Sequence, residues 1–208
     1  VLASCWSGNS TRINVRVISD KALAARVVLS GDHQAFTLLV ERHQGAIRNY
    51  MRRLLVKDDA TADDLAQETF LTAFQKMSSW RGTAKLGTWL HSIAYRKFLD
   101  YQRKHRRQVV VAKFPDIGED NRKAIDNEIM AKHLMGLLDD KDRAVMTLAY
   151  GAGMSHAEIA KVVDRPLGSV KARIHRAKLK LSKWLQDNDH SIQTQKTNQV
   201  LKQEGRHA

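Results

Sequence analysis

The sequence predicts an all-α protein: two small helical domains joined by a flexible linker, the second a helix-turn-helix. Apolar residues recur at helical spacing along most of the 208 residues, and only Pro115 and Pro166 interrupt them. Basic charge forms two blocks, with 18 Lys and Arg against 9 Asp and Glu in residues 1–107 and 10 against 5 in residues 139–186. Residues 108–138 between the blocks hold 4 Lys and Arg against 5 Asp and Glu, as expected of a segment that connects two domains.

The first domain is predicted over residues 20–107, after an N-terminal extension at 1–19. Ser19 or Asp20 caps a short helix that ends near Leu29, and a turn at Ser30 and Gly31 follows. Asp32 then caps a longer helix. Its buried stripe is Phe36, Leu39, Val40, His43, Ile47, Tyr50, Met51 and Leu54.

The next predicted helix, from about Ala60 to Lys76, differs in charge from the rest of the chain. No basic residue lies between Lys57 and Lys76, and this stretch carries five carboxylates. The buried stripe is Ala62, Leu65, Ala66, Thr69, Phe70, Ala73, Phe74 and Met77. The opposite face presents Asp64, Gln67, Glu68, Leu71 and Gln75. Nucleic acid would not favour an acidic face, so we expect a protein partner there.

A basic, aromatic segment closes the first domain. Residues 78–87 form a loop, and Thr88 is predicted to cap a helix that runs to about Arg107. Residues 95–107 hold six Lys and Arg against one Asp, interleaved with aromatic residues, which suits unstacked bases in a positive groove. Trp80 and the loop 81–86 are the better candidates for single-strand contact. The helical stripe favours a core position for Trp89, Phe98 and Tyr101.

The linker is predicted at 108–127, the second domain at 128–186 and a polar, disordered tail at 187–208. A helix over 141–150 and a glycine-rich turn precede Ser155-His156-Ala157-Glu158, which is a capping box. A short helix, a turn at 163–166 and a long helix over 167–184 then follow. This spacing indicates a helix-turn-helix.

The long helix divides into an apolar and a basic face. Its seam is Val170, Ile174, Ala177, Leu181 and either Trp184 or Leu185. From Arg165 to Lys183 there are seven basic residues and no acid. We expect Lys171, His175 and Arg176 to reach base edges in the major groove. Phosphate contacts are expected from Arg165, Ser169 and Arg173.

Composition narrows the class of protein. The net charge of +13 points to a polyanionic partner such as nucleic acid or an anionic membrane surface. A single cysteine excludes an intrachain disulfide framework and fits a reducing compartment. No apolar run approaches the roughly 18 residues of a spanning helix, so we expect a soluble, cytoplasmic protein without membrane insertion.

These motifs together resemble an extracytoplasmic-function (group IV) sigma factor of the sigma-70 family. Residues 64–71, followed by Trp89-Leu90, Ile93-Ala94, Asp100 and Arg103-Lys104, resemble the first domain of that family. Glu158-Ile159-Ala160 and residues 166–171, with Arg173, Arg176-Ala177 and Leu181, resemble the second. The resemblance covers about residues 20–184 in the order of the family.

The resemblance implies partners and roles. It implies docking on core RNA polymerase, mainly the β′ clamp and also the β flap, through Asp64, Gln67, Glu68 and Leu71. It implies single-stranded −10 contacts from Trp80, Arg81, Lys85, Trp89, Arg96, Lys97, Arg103 and Lys104. It implies duplex −35 contacts from Arg165, Ser169, Lys171, Ala172, Arg173, His175 and Arg176. The linker would lie along the polymerase channels, and an anti-sigma factor would control the protein.

Three positions depart from the family pattern. Arg96 stands where the family often has Asn, so the −10 preference is expected to be unusual. Leu138-Asp139 replaces Leu-Pro before the first helix of the second domain, and Asp139 can serve as a cap. Ala172 and His175 are not universal in the family, so −35 specificity does not carry over.

Two other classes of protein fit the sequence less well. A two-domain helix-turn-helix regulator that acts without polymerase docking would need a ligand or receiver domain, and residues 20–107 have neither alternating strands nor a glycine-rich loop. An enzyme such as a nuclease would need a metal or catalytic cluster. The nine histidines are scattered, and no His-Glu-x-x-His or paired-cysteine set occurs. We therefore expect no catalytic residue, metal, cofactor or small-molecule substrate.

Overall fold

The computed structural model describes residues 18–56, 58–105 and 127–204, and within these ranges it is helical without strands. The four helices of the first group are α1 (Asp20–Ser30), α2 (His33–Leu54), α3 (Asp59–Gln75) and α4 (Leu86–His105). The second group contains α5 (Asn127–Gly136), α6 (Asp140–Met146), α7 (His156–Val163) and α8 (Leu167–Glu204). The all-α prediction, with two helical domains, is confirmed. Residues 108–126 of the linker predicted at 108–127, and residues 1–17 of the N-terminal extension, lie outside the described residues.

Side-chain caps set several helix starts where the sequence predicted them. Ser19 Oγ accepts a hydrogen bond from the amide of Ala22, and Asp32 caps α2 through the amide of Ala35. Gly31 between the two helices has φ of 64°, a left-handed conformation that glycine adopts without strain. Asp139 Oδ1 accepts from the amide of Asp142 at 2.7 Å, so this aspartate caps α6 as expected.

Three predicted boundaries are wrong. Helix α4 begins at Leu86 rather than at Thr88, because Thr88 is buried inside the helix and its hydroxyl cannot cap from outside. The predicted helix over 141–150 is instead α6 followed by a π-helical turn, Thr147–Gly151. The tail predicted to be disordered continues α8 as a helix to Glu204. Residues 187–204 contain neither Gly nor Pro, so nothing in them breaks a helix.

The core runs through both groups of helices. Helix α2 packs between α1, α3 and α4, and its central residues Ile47, Met51 and Leu54 are fully buried. Helices α6, α7 and α8 bury Leu148, Ile159, Val170 and their neighbours. The groups also meet each other, because α7 packs on α4 and the α6 and π-turn segments pack on α2.

Candidate functional site

The acidic face of α3 is exposed as the sequence predicted. Asp64, Gln67, Glu68 and Leu71 all point to solvent, and Leu71 is 62% exposed. The opposite stripe is buried, except for a half-buried Phe74. Helix α3 is held against α2 by Arg52, which donates to both carboxylate oxygens of Asp63 at 3.0 and 2.8 Å. These hydrogen bonds lower the pKa of Asp63, so the tie is charged at neutral pH.

An apolar groove lies beside this face, and the sequence reasoning missed it. Its volume is about 360 Å³, and α2 and α3 line it together. Helix α2 supplies Phe36, Val40, Gln44 and Arg48, while α3 supplies Ala66, Gln67, Phe70 and Leu71. Helical periodicity predicts a core position for Phe36 and Val40, whereas both are half-buried in the structure. The polar pair Gln44 and Arg48, four residues apart on α2, was the signal for a second surface.

A hydrogen bond from Trp80 joins the two ends of the loop before α4. Trp80 Nε1 donates to the carbonyl of Ala84 at 3.1 Å, and Gly82 between them adopts φ of 69°. Arg81 and Lys85 are exposed on this loop. Trp80 and Trp89 are half-buried and line a cavity of about 240 Å³. The loop therefore brings two aromatic rings and two cations together at the start of α4.

The cations of α4 are not equivalent. Arg96 and Lys104 are exposed, whereas Lys97 Nζ donates to Glu68 Oε2 at 3.0 Å and Arg103 pairs with Asp100. Lys97, a predicted DNA contact, therefore touches Glu68, a predicted protein contact. Phe98 is fully buried as expected, while Trp89 and Tyr101 are only half-buried.

The short helix α7 carries the capping box that the sequence predicted. Ser155 Oγ accepts from the amide of Glu158 at 3.3 Å, and Glu158 Oε2 accepts from the amide of Ser155 at 3.0 Å. The hydrogen bonds from the amide and hydroxyl of Ser155 lower the pKa of Glu158. Asp164 ends the helix in a left-handed conformation, φ 52°, and turns the chain toward Pro166 and α8.

The start of α8 presents a basic face. Val170, Ile174 and Ala177 are buried in the seam, and Trp184 rather than Leu185 continues it. Six of the seven predicted DNA contacts are exposed together: Arg165, Ser169, Lys171, Ala172, His175 and Arg176. The seventh, Arg173, is half-buried and donates to Asp142 Oδ1 at 2.7 Å. Its guanidinium ties α8 to α6, with further N–H donors remaining.

The described part of the chain contains neither a metal-binding cluster nor a membrane-spanning helix. Within residues 18–56, 58–105 and 127–204, no three His, Cys, Asp or Glu side chains group closely enough to hold a metal ion. In the same ranges, no helix has the length and apolar character needed to cross a bilayer.

Comparison with known proteins identifies the family. Residues 39–108 match Sigma-70 region 2, and residues 130–181 match Sigma-70, region 4. The chain is 30% identical over 177 residues to the ECF RNA polymerase sigma-E factor of Haemophilus influenzae, an alignment that covers 77% of this chain and 92% of the relative. The chain belongs to the ECF sigma factors. The Escherichia coli sigma-E factor is also 30% identical, with 77% and 91% coverage.

Solved structures resemble the sigma factor in fold as well. The structure of CnrH in complex with the cytosolic domain of CnrY matches with a TM-score of 0.62 and 28% identity, covering 81% of this chain and 97% of that one. The sigma factor RpoE of Bartonella quintana, solved with the anti-sigma factor NepR, matches with a TM-score of 0.61 and 26% identity, covering 73% and 96%. Sigma factors as a family are not enzymes.

Proposed function

We propose that this sigma factor binds core RNA polymerase, recognises −10 and −35 promoter elements and promotes melting of the start site in the cytoplasm. The observation that carries the proposal is the pairing of two unlike exposed surfaces in one chain of this family. An acidic and apolar face lies on α3, and a basic face lies on α8. We propose no catalytic residue, cofactor or small-molecule substrate.

The domain boundaries proposed are those of the sequence analysis. Residues 20–107 form the region 2 domain and residues 128–186 the region 4 domain, joined by the linker at 108–127. The two family matches, at 39–108 and 130–181, lie almost entirely within these limits and support them.

The α3 face is proposed to dock on the β′ clamp, with the β flap as a second polymerase contact elsewhere. Asp64 and Glu68 supply negative charge, Gln67 a hydrogen-bonding amide, and Leu71 an apolar anchor at the mouth of the groove. A large side chain that is exposed beside an apolar groove gains free energy only when a partner covers it. The tie from Lys97 to Glu68 orients that carboxylate before docking.

The proposed −10 surface is the loop 80–86 with α4. Exposed bases stack on aromatic faces, and Trp80 and Trp89 offer two at one cavity. Arg81, Lys85, Arg96, Lys97, Arg103 and Lys104 attract the phosphates around it. Trapping an unstacked base shifts the equilibrium from duplex to bubble without any bond chemistry. Opening is expected to favour pyrimidine–purine steps, which unstack most readily.

The proposed −35 surface is the exposed start of α8. Lys171, His175 and Arg176 face a major groove while Arg165 and Ser169 hold its phosphates. Ala172 offers a methyl group to a thymine. Arg173 is also proposed as a phosphate contact. One of its N–H groups donates to Asp142, and the other N–H groups of the guanidinium would donate to a phosphate.

An anti-sigma factor is proposed as a further partner. The support is the similarity to the Bartonella quintana sigma factor that was solved with the anti-sigma factor NepR, at 26% identity over 96% of that chain.

The polymerase contact is tested with a paired substitution. Gln67→Ala with Glu68→Ala should abolish a stable complex with core RNA polymerase, measured by gel filtration and by equilibrium fluorescence titration. Gln34→Ala with Glu41→Ala is the matched control, because it removes one exposed amide and one exposed carboxylate from α2 outside the groove. Core binding retained by the first variant, or lost equally by both, would refute the role of the α3 face.

A further inference from the structure

A cavity of about 550 Å³ lies where α2, α5 and the π-helical turn meet. It shares no lining residue with the groove beside Leu71, with the cavity beside Trp80 or with the exposed face of α8. Its volume falls within the range that small-molecule sites occupy in proteins, roughly 300–1,000 Å³. None of the proposed polymerase or promoter contacts uses it, so its lining calls for a separate explanation.

An arginine of α2 reaches across this cavity to the π-helical turn. A Cβ on Gly151 would overlap Nη1 of Arg53, so the missing side chain at Gly151 makes room for the guanidinium. Within the ranges that the structure describes, Arg53 makes no hydrogen bond or ion pair with another residue. All five of its N–H donors are therefore available to a ligand in the cavity.

A buried hydroxyl without a partner lies at the same end of the cavity. Thr147 is only 3% exposed, and its Oγ1 has no hydrogen-bond partner among the described residues. Thr147 and Arg53 line both this cavity and an adjoining one of about 70 Å³, where the hydroxyl of Tyr50 is likewise buried without a partner. A buried hydroxyl left unpaired costs free energy, which an acceptor atom of a ligand would recover.

The charge of the lining favours an anion. Arg52, Arg53 and Lys132 are cations, and Asp59 is the one carboxylate that lines the cavity in the described structure. Arg52 is bonded to Asp63, and Lys132 Nζ lies 3.7 Å from Asp59 Oδ2. Arg53 is therefore the cation best placed for a ligand, and its planar guanidinium can form two parallel hydrogen bonds with a phosphate.

The other walls suit an aromatic group. Met135 of α5 and the buried Met146 of α6 line the cavity, and methionine sulfur makes favourable contacts with aromatic rings. Tyr150 lines it as well, with its side chain 60% exposed and Lys178 Nζ 5.3 Å from the centroid of its ring. A large exposed ring in a cavity wall gains free energy when a ligand covers it. The cavity thus offers a cation and a hydroxyl at one end and apolar and aromatic surface elsewhere.

We propose that this cavity binds a nucleoside phosphate, with its phosphate at Arg53 and Thr147 and its base against Met135 and Met146. The amide of Asn49, which lines the same end, adds a third source of donors. Donors from three groups suit the three terminal oxygens of a phosphate better than the two of a carboxylate. The ligand is bound and not converted, so the inference goes beyond the proposed function and does not depend on it.

Isothermal titration calorimetry of the full chain tests the site. The probes are ADP and GDP, with inorganic phosphate as the anion alone and adenosine as the body alone. At least one nucleotide should bind saturably and one-to-one, at least tenfold more tightly than phosphate or adenosine. Failure of both nucleotides to saturate the chain would overturn the proposal, and so would phosphate or adenosine binding as tightly as the nucleotides.

Substitutions distinguish this cavity from the general basic surface of the chain. Arg53→Met should weaken nucleotide binding at least tenfold, whereas Arg26→Met, which removes the same charge from an exposed position on α1, should change it less than twofold. Thr147→Val removes the unpaired hydroxyl, so it should weaken binding at least threefold while the unfolding midpoint of the free chain stays the same or rises. Equal losses with Arg53→Met and Arg26→Met would assign binding to net charge and overturn the site. Unchanged affinity in either Arg53→Met or Thr147→Val would overturn it as well.

Discussion

Truncation of Leu71 should weaken polymerase binding without affecting the fold. Leu71 is 62% exposed, so a partner could bury roughly 100 Å² of it, which contributes about 2.5 kcal/mol at about 25 cal/mol per Å². Alanine retains about a third of that surface, so Leu71→Ala should lose about 1.7 kcal/mol, or roughly fifteenfold in Kd. Equilibrium titration of labelled protein with core RNA polymerase measures the change.

Leu29→Ala is the matched control. Leu29 is 85% exposed at the end of α1, so the same truncation there removes a similar exposed side chain away from α3. Neither substitution should alter the midpoint of thermal unfolding, because neither side chain contributes to the core. A Kd for Leu71→Ala within twofold of the unsubstituted chain would refute the docking role, and so would an equal loss with Leu29→Ala.

Three further predictions concern DNA reading and stability. Arg176→Ala should weaken binding of a cognate −35 duplex by about 1–3 kcal/mol while sparing unrelated duplexes, whereas an equal loss on every sequence would make it a phosphate contact. Ser155→Ala removes the capping box and should lower the free energy of unfolding in urea by about 1 kcal/mol; a change within experimental error would refute the cap. Burial raises the pKa of Asp20, but the hydrogen bonds and charges of Arg42 and His43 together lower it below its ordinary value. The contribution of Asp20 to the free energy of unfolding is therefore present above about pH 4 and is lost as pH falls further. Asp20→Asn should therefore flatten the fall in unfolding midpoint between pH 5 and pH 3, and an unchanged slope would contradict this role.

The acidic helix shows how far periodicity alone can predict a site. A stripe at 3.6-residue spacing fixes which side of a helix is buried, so the exposure of Gln67 and Leu71 followed directly. Caps at Asp32 and Ser155 were predictable for a similar reason, since a capping side chain bonds amides only two or three residues away.

Contacts between distant segments were not predictable in this way. Tyr95 is buried on α4, and α4 packs on α7 from the other end of the chain, a contact that the sequence around Tyr95 does not indicate. Arg143 donates to the carbonyl of Leu54, 89 residues away, and nothing in the sequence near Arg143 indicates that partner. The groove beside Leu71 likewise needs α2 and α3 side by side, which neither helix reveals alone.

The central claim is tested most directly by transcription in vitro. Core RNA polymerase, genomic DNA of the source organism and this chain would be incubated together, and the 5′ ends of the transcripts sequenced. The proposal predicts a set of start sites that require the chain, share sequence at both −10 and −35, and disappear with the Gln67→Ala and Glu68→Ala substitutions. Start sites that persist with that double variant would contradict the assigned docking face. If none of the start sites depended on the chain, the proposed function itself would be contradicted.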